Sequence, residues 1–495
     1  MKFFAVGIYV AVLFVIAFFS MKKTKTLNDF FLGNRKIGPW VSAFAYGTTY
    51  FSAVMFIGYA GKIGWGFGLS ALWIVVGNAF LGCFLAWKIL ARPTREMTTR
   101  LGTMTLPGFL EKRYQSKGLK VVSALIIFIF LVPYSASVYM GLSYFFEMVF
   151  GIEYIYALGF MAIITAIYLT MGGYFAVTLT DFVQGLIMIF GVIALILCVV
   201  YSPQVGGFSN IVPSLANVDP QLVAPVGPPG AIALFSLVIL TSLGPWGLPQ
   251  MVQKFYSIKN EKVIHTATLA TTGFALLMAF GAYFTGSLSR LFFGSLAEVG
   301  NNVDRVMPTI ISQTVPEVVA ILLLLLILAA SMSTLASLVL VSSSSIAVDL
   351  LQTIRPQTKQ KNSVLLMRIL CVVFIGLSLY LAVKPNVILN LMAFSWGAVA
   401  GAFIGPYLAG LFYKKATKAG AWAGMLTGVL FCSLFSYLFP DSIPLVGSLA
   451  MILSIVVVPV VSALTRQFPE EHLNYIFAYK DNLALNKTQK AFSSK

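Results

Sequence analysis

Stretches of about 20 apolar residues recur along this chain from end to end, and about 20 helical residues are what it takes to cross roughly 30 Å of hydrocarbon. Thirteen such runs can be read, at 3–20, 38–60, 65–90, 121–149, 153–172, 181–202, 229–250, 264–289, 316–346, 364–383, 387–412, 418–439 and 443–464. With 59% hydrophobic and 10% charged residues, the chain carries more apolar surface than a soluble core of ordinary proportions encloses. The expected fold is an all-α polytopic membrane protein, with one transmembrane domain over 1–464 and a basic, mobile tail over 465–495.

The formal charge of +17 raises the question of nucleic acid, and the placement of the charge answers it. If the runs all cross, one side of the membrane receives 28 of the 33 Lys and Arg, counting Lys254 within the connection 251–263, and the other side only Lys2, Lys62, Arg290, Arg305 and Lys384. The positive-inside rule makes the rich side cytoplasmic, with the N-terminus outside and the C-terminus in the cytoplasm. Basic residues scattered over several loops without aromatic interleaving exclude a nucleic-acid surface. The first run is too long for a signal-peptide core and no A-x-A site follows it.

Enzyme motifs are missing. His265 and His472 are isolated, no G-x-x-x-x-G-K-[ST] sequence is present, and GWGFG at 64–68 opens a span, not a phosphate loop. Cys83, Cys198, Cys371 and Cys432 lie inside apolar runs and read as small buried hydrophobes. No catalytic residue and no cofactor is expected.

Two runs contain sequences that oppose a continuous helix. In AYGTTYFSAVMFIG, 45–58, Gly47, Thr48, Thr49 and Ser52 fall within six residues, and in SLGPWGLPQ, 242–250, two prolines and two glycines do. A bare backbone group in hydrocarbon costs several kcal/mol, so a break survives only where protein or a polar cavity covers it. Runs two to six and seven to eleven make two five-helix units of opposite orientation, about 38–202 and 229–412, each beginning with an interrupted segment. That is the pattern of an inverted-repeat transporter with its site at the two gaps. The alternative at each gap is a packing kink of small residues.

Run nine places Ala330, Ser333, Thr334 and Ser337 on one helical face. Hydroxyls facing bare carbonyls can hold a monovalent cation, although Ser and Thr also join helices or bond to their own backbone. Asp181 is a carboxylate at membrane depth, read either as functional or as a first-turn residue of run six. Glu317 and Asp349 read as helix-end residues.

The stretches DFFLGNRKIG (29–38), the gap at 45–58, TLPGFLEKRY (105–114), MGGYFAVTLTDFVQG (171–185), LAASMSTLAS (328–337) and AFSWGAVAGAFIGP (393–406) together resemble the sodium/solute symporter family of sodium/proline, sodium/pantothenate and sodium/glucose transporters. The resemblance implies a LeuT-like 5+5 core with peripheral helices and Na⁺ as coupling ion. Its sodium site would take carbonyls of Thr48, Phe51 and Ala330 and hydroxyls of Ser333 and Thr334. Some members bind a second sodium through an aspartate matching Asp181; Ser337 matches a further ligand, while Ala336 offers no side-chain oxygen. The sodium/proline members carry Asp where this chain has Tyr50, and aromatics where it has Thr241 and Pro245; TTYFSAVMFIG and DPQLVAPVG look closer to the sodium/pantothenate members. A solute cavity would be lined by Ser52, Ala53, Tyr134, Ser135, Trp246, Pro249, Ser395 and Trp396, with no Lys or Arg at that depth.

The function so implied is Na⁺-coupled import of a small organic solute across the plasma membrane by alternating access, the solute being an amino acid such as proline, pantothenate or another small carboxylate. Proton coupling in the same fold and a transporter-like solute receptor are the alternatives.

Overall fold

The computed structural model describes residues 1–21, 35, 37–354, 360–384 and 387–478. Most of DFFLGNRKIG and the tail from 479 lie outside these residues. Helix α1 is Lys2–Met21. The second span comprises α2 (Pro39–Tyr50), a gap at Phe51–Ser52, a π-helical turn Val54–Tyr59 and α3 (Ala60–Phe67). The third follows through α4 (Leu72–Gly77), a second π segment and α5 (Ala86–Arg100). The turn between them is made at Gly68, where φ is +58° and a Cβ would stand 2.4 Å from the Leu222 carbonyl oxygen, so glycine alone fits.

A short, mostly buried helix α6 (Leu106–Tyr114) precedes α7 (Lys117–Phe150) and α8 (Tyr154–Val200). After α9 (Ile211–Val218), the seventh span is split into α10 (Gly230–Gly247) and α11 (Pro249–Tyr256). Then come α12 (Lys262–Ser287), α13 (Val306–Thr314), α14 (Glu317–Ser344) with a π extension Ser345–Leu350, α15 (Leu351–Ile354), α16 (Gln360–Ala382), α17 (Ile388–Phe412), α18 (Lys418–Leu438) and α19 (Ile443–Ala463).

Eleven helical stretches among the described residues are long and apolar enough to cross a membrane, against thirteen runs in the sequence. The difference lies at the joints. Val54–Arg100 is one 47-residue helical stretch holding parts of two runs, and α2 is only 12 residues long because the gap cuts it. Helix α8 also covers two runs. Thr165 Oγ1 lies 3.6 Å from Met332 Sδ, while Asp181 Oδ1 lies 2.6 Å from Ser333 Oγ. Sixteen residues of straight helix would separate Thr165 from Asp181 by about 24 Å, more than side chains meeting the adjacent Met332 and Ser333 readily span, so α8 is not straight between them.

The tail differs from expectation where it is described. Residues 470–478 are helical, Ile476 and Phe477 are buried, and His472 pairs with Gln115 and the Arg113 carbonyl. The apolar side chains there pack back onto the protein.

Helices close where side chains are small. A Cβ at Gly286 would stand 2.2 Å from the Ala60 carbonyl oxygen, and one at Gly64 2.0 Å from the Gly286 carbonyl carbon, so the half of the broken span beyond the gap is set directly against α12. Gly286→Val is expected to lower the thermal midpoint of the purified protein clearly, since overpacking costs about 1–3 kcal/mol or more. Gly273→Val in the same helix, where a Cβ meets nothing within 4 Å, is the matched control and should shift it little.

Candidate functional site

The gap in the second span is a local consequence of its sequence. Helix α2 ends with the Phe51 amide bonded to the Gly47 carbonyl, and Phe51 itself is extended at φ −105°, ψ 102°. Ser52 restarts the helix: its hydroxyl accepts from the Val54 amide and its carbonyl from the Met55 amide. The seventh span breaks in the same manner at Leu248, extended at φ −75°, ψ 123°, with Pro249 opening the next helix.

Helix α14 lies against the first gap. Thr334 Oγ1 is 3.3 Å from the carbonyl oxygens of both Thr48 and Thr49. Ser333 Oγ is 2.7 Å from Thr48 Oγ1 and 2.6 Å from Asp181 Oδ1, and Ser337 Oγ is 3.0 Å from Thr49 Oγ1. The Thr48 hydroxyl donates to the Phe44 carbonyl at 2.8 Å, so Thr48 Oγ1 and Asp181 Oδ1 are both acceptors for the single Ser333 proton, and Ser333 Oγ ties the carboxylate to the gap. The structure thus brings together Thr48, Ser333, Thr334, Asp181 and Ser337, on spans far apart in sequence. Ala330 is fully buried on α14, and Phe51 is the extended residue of the gap itself.

Two charged residues differ from their expected places. Asp181 sits within α8, not in a first turn, and is fully buried. Lys254, assigned to a cytoplasmic connection from the sequence, lies on α11 with 1% exposure, its ammonium 3.3 Å from Asp181 Oδ2, 3.2 Å from Ser337 Oγ and 5.4 Å from the centre of the Tyr174 ring. The expectation that no Lys or Arg reaches this depth is therefore wrong. Hydropathy falls at Gln250, Gln253 and Lys254, which ends the seventh run, but the helix resumes beyond Leu248 and carries those side chains inward. Asp349 is likewise no helix-end residue: the π extension of α14 carries it on, and it is buried with Oδ1 accepting the Thr105 hydroxyl at 2.7 Å.

The expected solute-lining residues divide. The Trp396 ring is stacked on Tyr50 (centroids 6.0 Å) and met edge-on by Tyr134 (5.8 Å). The Tyr134 hydroxyl faces Ser52 and the Trp396 indole. The Tyr134 hydroxyl and Trp396 Nε1 are both buried without a hydrogen-bond partner of good geometry, as is the Ser135 hydroxyl. Ala53 is fully buried in the gap. Ser395 instead donates to the Phe130 carbonyl at 2.6 Å, tying α17 to α7. Trp246 is only half buried and donates to the Leu81 carbonyl, so it braces the third span. Pro249 lines a small recess with Thr105, Gln253, Tyr256 and Asp349. A separate cavity of about 470 Å³, lined among others by Lys62, Ser236, Asn390 and Asp441, lies between the ends of α3, α10, α17 and α19; no local pattern marks it, because four separate helix ends form it.

The profile of the sodium:solute symporter family matches residues 30–428. Sodium/proline symporters of Staphylococcus aureus strains bovine RF122 / ET3-1 and JH9 are each 31% identical over 497 residues, covering 95% of this chain and 94% of the relative. A substrate-bound, outward-open Na⁺-coupled sialic acid symporter has the same fold, with TM-score 0.77 at 17% identity, covering 94% of this chain and 99% of that one. Mhp1, a nucleobase-cation-symport-1 family transporter, superposes with TM-score 0.53 at 17% identity, covering 90% and 97%.

A buried ion pair resists the loss of one member more than the loss of both. In sodium-free buffer, Lys254→Met or Asp181→Asn alone is expected to cost about 3–5 kcal/mol of stability, and the double substitution much less. A double-mutant cycle of urea or thermal unfolding checks this; additive losses would mean that the pair is not coupled.

Proposed function

The chain belongs to the sodium:solute symporter family, a LeuT-fold group of transporters that couple solute movement to Na⁺, and we propose that its cargo is a small carboxylate-bearing solute, proline foremost. The observation that carries the cargo reading is the set of buried donors at the gap: the Tyr134 hydroxyl and Trp396 Nε1 face one another without a hydrogen bond of good geometry, and Ser52 faces the Tyr134 hydroxyl. Each such orphan costs about 1–3 kcal/mol unless something accepts from it. A carboxylate is an acceptor with four lone-pair positions. Among the lining residues Tyr50, Ser52, Ala53, Tyr134 and Trp396 no side chain is charged, which suits a solute whose carboxylate is met by hydroxyls, an indole N–H and helix amides. The sodium/proline symporters similar to this chain support proline as the first solute to try. The solute crosses chemically unchanged.

The sodium ion is assigned to the carbonyls of Thr48, Phe51 and Ala330 and the hydroxyls of Ser333 and Thr334. The approach of Thr334 Oγ1 to within 3.3 Å of two gap carbonyls supports this reading. An ion there joins the gap to α14, so the arrangement that accepts solute is held while the ion is present. Inward opening separates α14 from the gap and releases it. A membrane potential of 100 mV contributes about 2.3 kcal/mol per charge, roughly a fifty-fold accumulation. The distribution of basic residues supports a plasma-membrane orientation with the N-terminus outside and the C-terminus in the cytoplasm.

In proteoliposomes, labelled L-proline is expected to accumulate under an inward Na⁺ gradient and not under K⁺. Ser333→Ala with Thr334→Ala should raise the sodium concentration for half-maximal uptake at least about tenfold, the loss of roughly 1.4 kcal/mol of ion binding. Tyr134→Phe and Trp396→Phe should raise the proline KM by about tenfold with the sodium dependence intact. Uptake of pantothenate in preference to proline would replace the solute assignment, and uptake indifferent to sodium would remove the ion site.

A further inference from the structure

A charge placed at membrane depth has to be answered by another, and Asp181 is answered by the chain itself. Its Oδ2 meets the Lys254 ammonium at 3.3 Å, and that ammonium also meets Ser337 Oγ at 3.2 Å. Asp181 and Ser337 are the groups that the family resemblance assigns to a second monovalent cation, and both face the ammonium. The remaining side is closed by the Tyr174 ring, whose face lies 5.4 Å from the nitrogen and whose hydroxyl is turned to Ser257. Ser337 is held from its other side by Thr49 Oγ1 at 3.0 Å. Among the described residues the ammonium is met by a carboxylate, a hydroxyl and an aromatic face, and both members of the ion pair have 1% exposure or less.

We propose that the Lys254 ammonium is a tethered cation that fills the second ion position beside Asp181 and Ser337, so that the protein moves one Na⁺ per solute. The proposal rests on the sodium site assigned above at Thr48, Ser333 and Thr334.

The charge count follows from the contacts. Asp181 and Lys254 sum to zero, so the carrier without cargo is neutral at its centre, and one Na⁺ on the neutral ligands of the gap makes it +1. A further ion beside Asp181 would make it +2 in a region shielded from water, with the ammonium already on the carboxylate oxygen it would need. Ser333 links the two places, touching Asp181 on one side and Thr48 on the other. Lys254 thus orients Asp181, and through the Asp181–Ser333 contact it holds the Ser333 hydroxyl that the single ion would use. It is a positioning residue that never has to leave.

The test is a count of sodium. Purified protein in liposomes is equilibrated with ²²Na⁺ up to saturation, and bound ions per chain are measured. The wild type is expected to hold about one, Lys254→Met about two because the bare Asp181 carboxylate recruits an ion, and Lys254→Met with Asp181→Asn about one again. Sodium should also raise the thermal midpoint of Lys254→Met more than that of the wild type, a rescue that a lysine needed only for packing would not give.

In transport, a tenfold sodium gradient at zero potential should support about a tenfold L-proline gradient in the wild type, against about a hundredfold for two ions. Two sodium ions in the wild type, or one in both the wild type and a folded Lys254→Met, overturns the proposal. If Lys254→Met does not fold, the wild-type count and the proline gradient decide alone. No sodium bound by the wild type would instead sink the ion site on which the proposal stands, and a sodium count of one without proline movement would sink only the proline assignment.

Discussion

The structure depends on a helix that stops in the middle of the membrane. Between Phe51 and Ser52 the second span gives up its backbone bonding, and hydrocarbon offers no replacement. The carbonyls of Thr48 and Thr49 are met instead by the Thr334 hydroxyl. That need accounts for the run of hydroxyls on α14, for its burial over most of its length, and for its position against the gap. Weak, neutral, multiple oxygens that stabilise an irregular backbone are also the ligands a hard monovalent ion prefers. The proposed ion site is thus the same set of atoms that lets the gap exist.

The charged pair beside it works on a different scale. Asp181 and Lys254 could be replaced by apolar residues at little cost to stability, as buried pairs often can be. Their presence points to an electrostatic task, because they put a fixed dipole next to a place where a mobile charge arrives and departs. The dipole is locked by contacts to three spans: Asp181 on α8, Lys254 on α11, and Ser333 and Ser337 on α14. A change in the packing of any of them is felt by the hydroxyl that faces the ion.

Both gaps, the hydroxyl face and the repeat were legible in the sequence because each is chemistry of consecutive residues: prolines and glycines where a helix must be continuous, and serines every third or fourth position where it must be apolar. Lys254 was not legible. A hydropathy window averages Gln250, Gln253 and Lys254 with the break before them and ends the span, whereas the helix that resumes at Pro249 buries all eight of its residues. Asp349 was misread for a related reason, since the π turn after Ser344 prolongs a helix the apolar run no longer marks. Trp246 fell on the correct span but the wrong face. Its direction is decided by the Leu81 carbonyl on a neighbouring helix, which no local pattern reports. Fold and ion ligands are written locally; which polar side chain turns inward is written in the packing.

Closure of the inner face follows the same economy of weak bonds. Arg35 donates to the Tyr256 carbonyl at 3.1 Å and the Thr103 carbonyl at 2.7 Å, and Arg95 donates to the Ile258 and Lys259 carbonyls. These bonds join the entry to the second span, α5 and the loop after it to the end of α11 and the residues just beyond. All the acceptors are neutral carbonyls and the arginines are only half buried, so each bond is worth about 1–3 kcal/mol at most and water can replace it. A carboxylate partner out of water would make the closed state far harder to leave. The sum of a few such bonds is of the same order as the free energy that one ion and one potential step deliver.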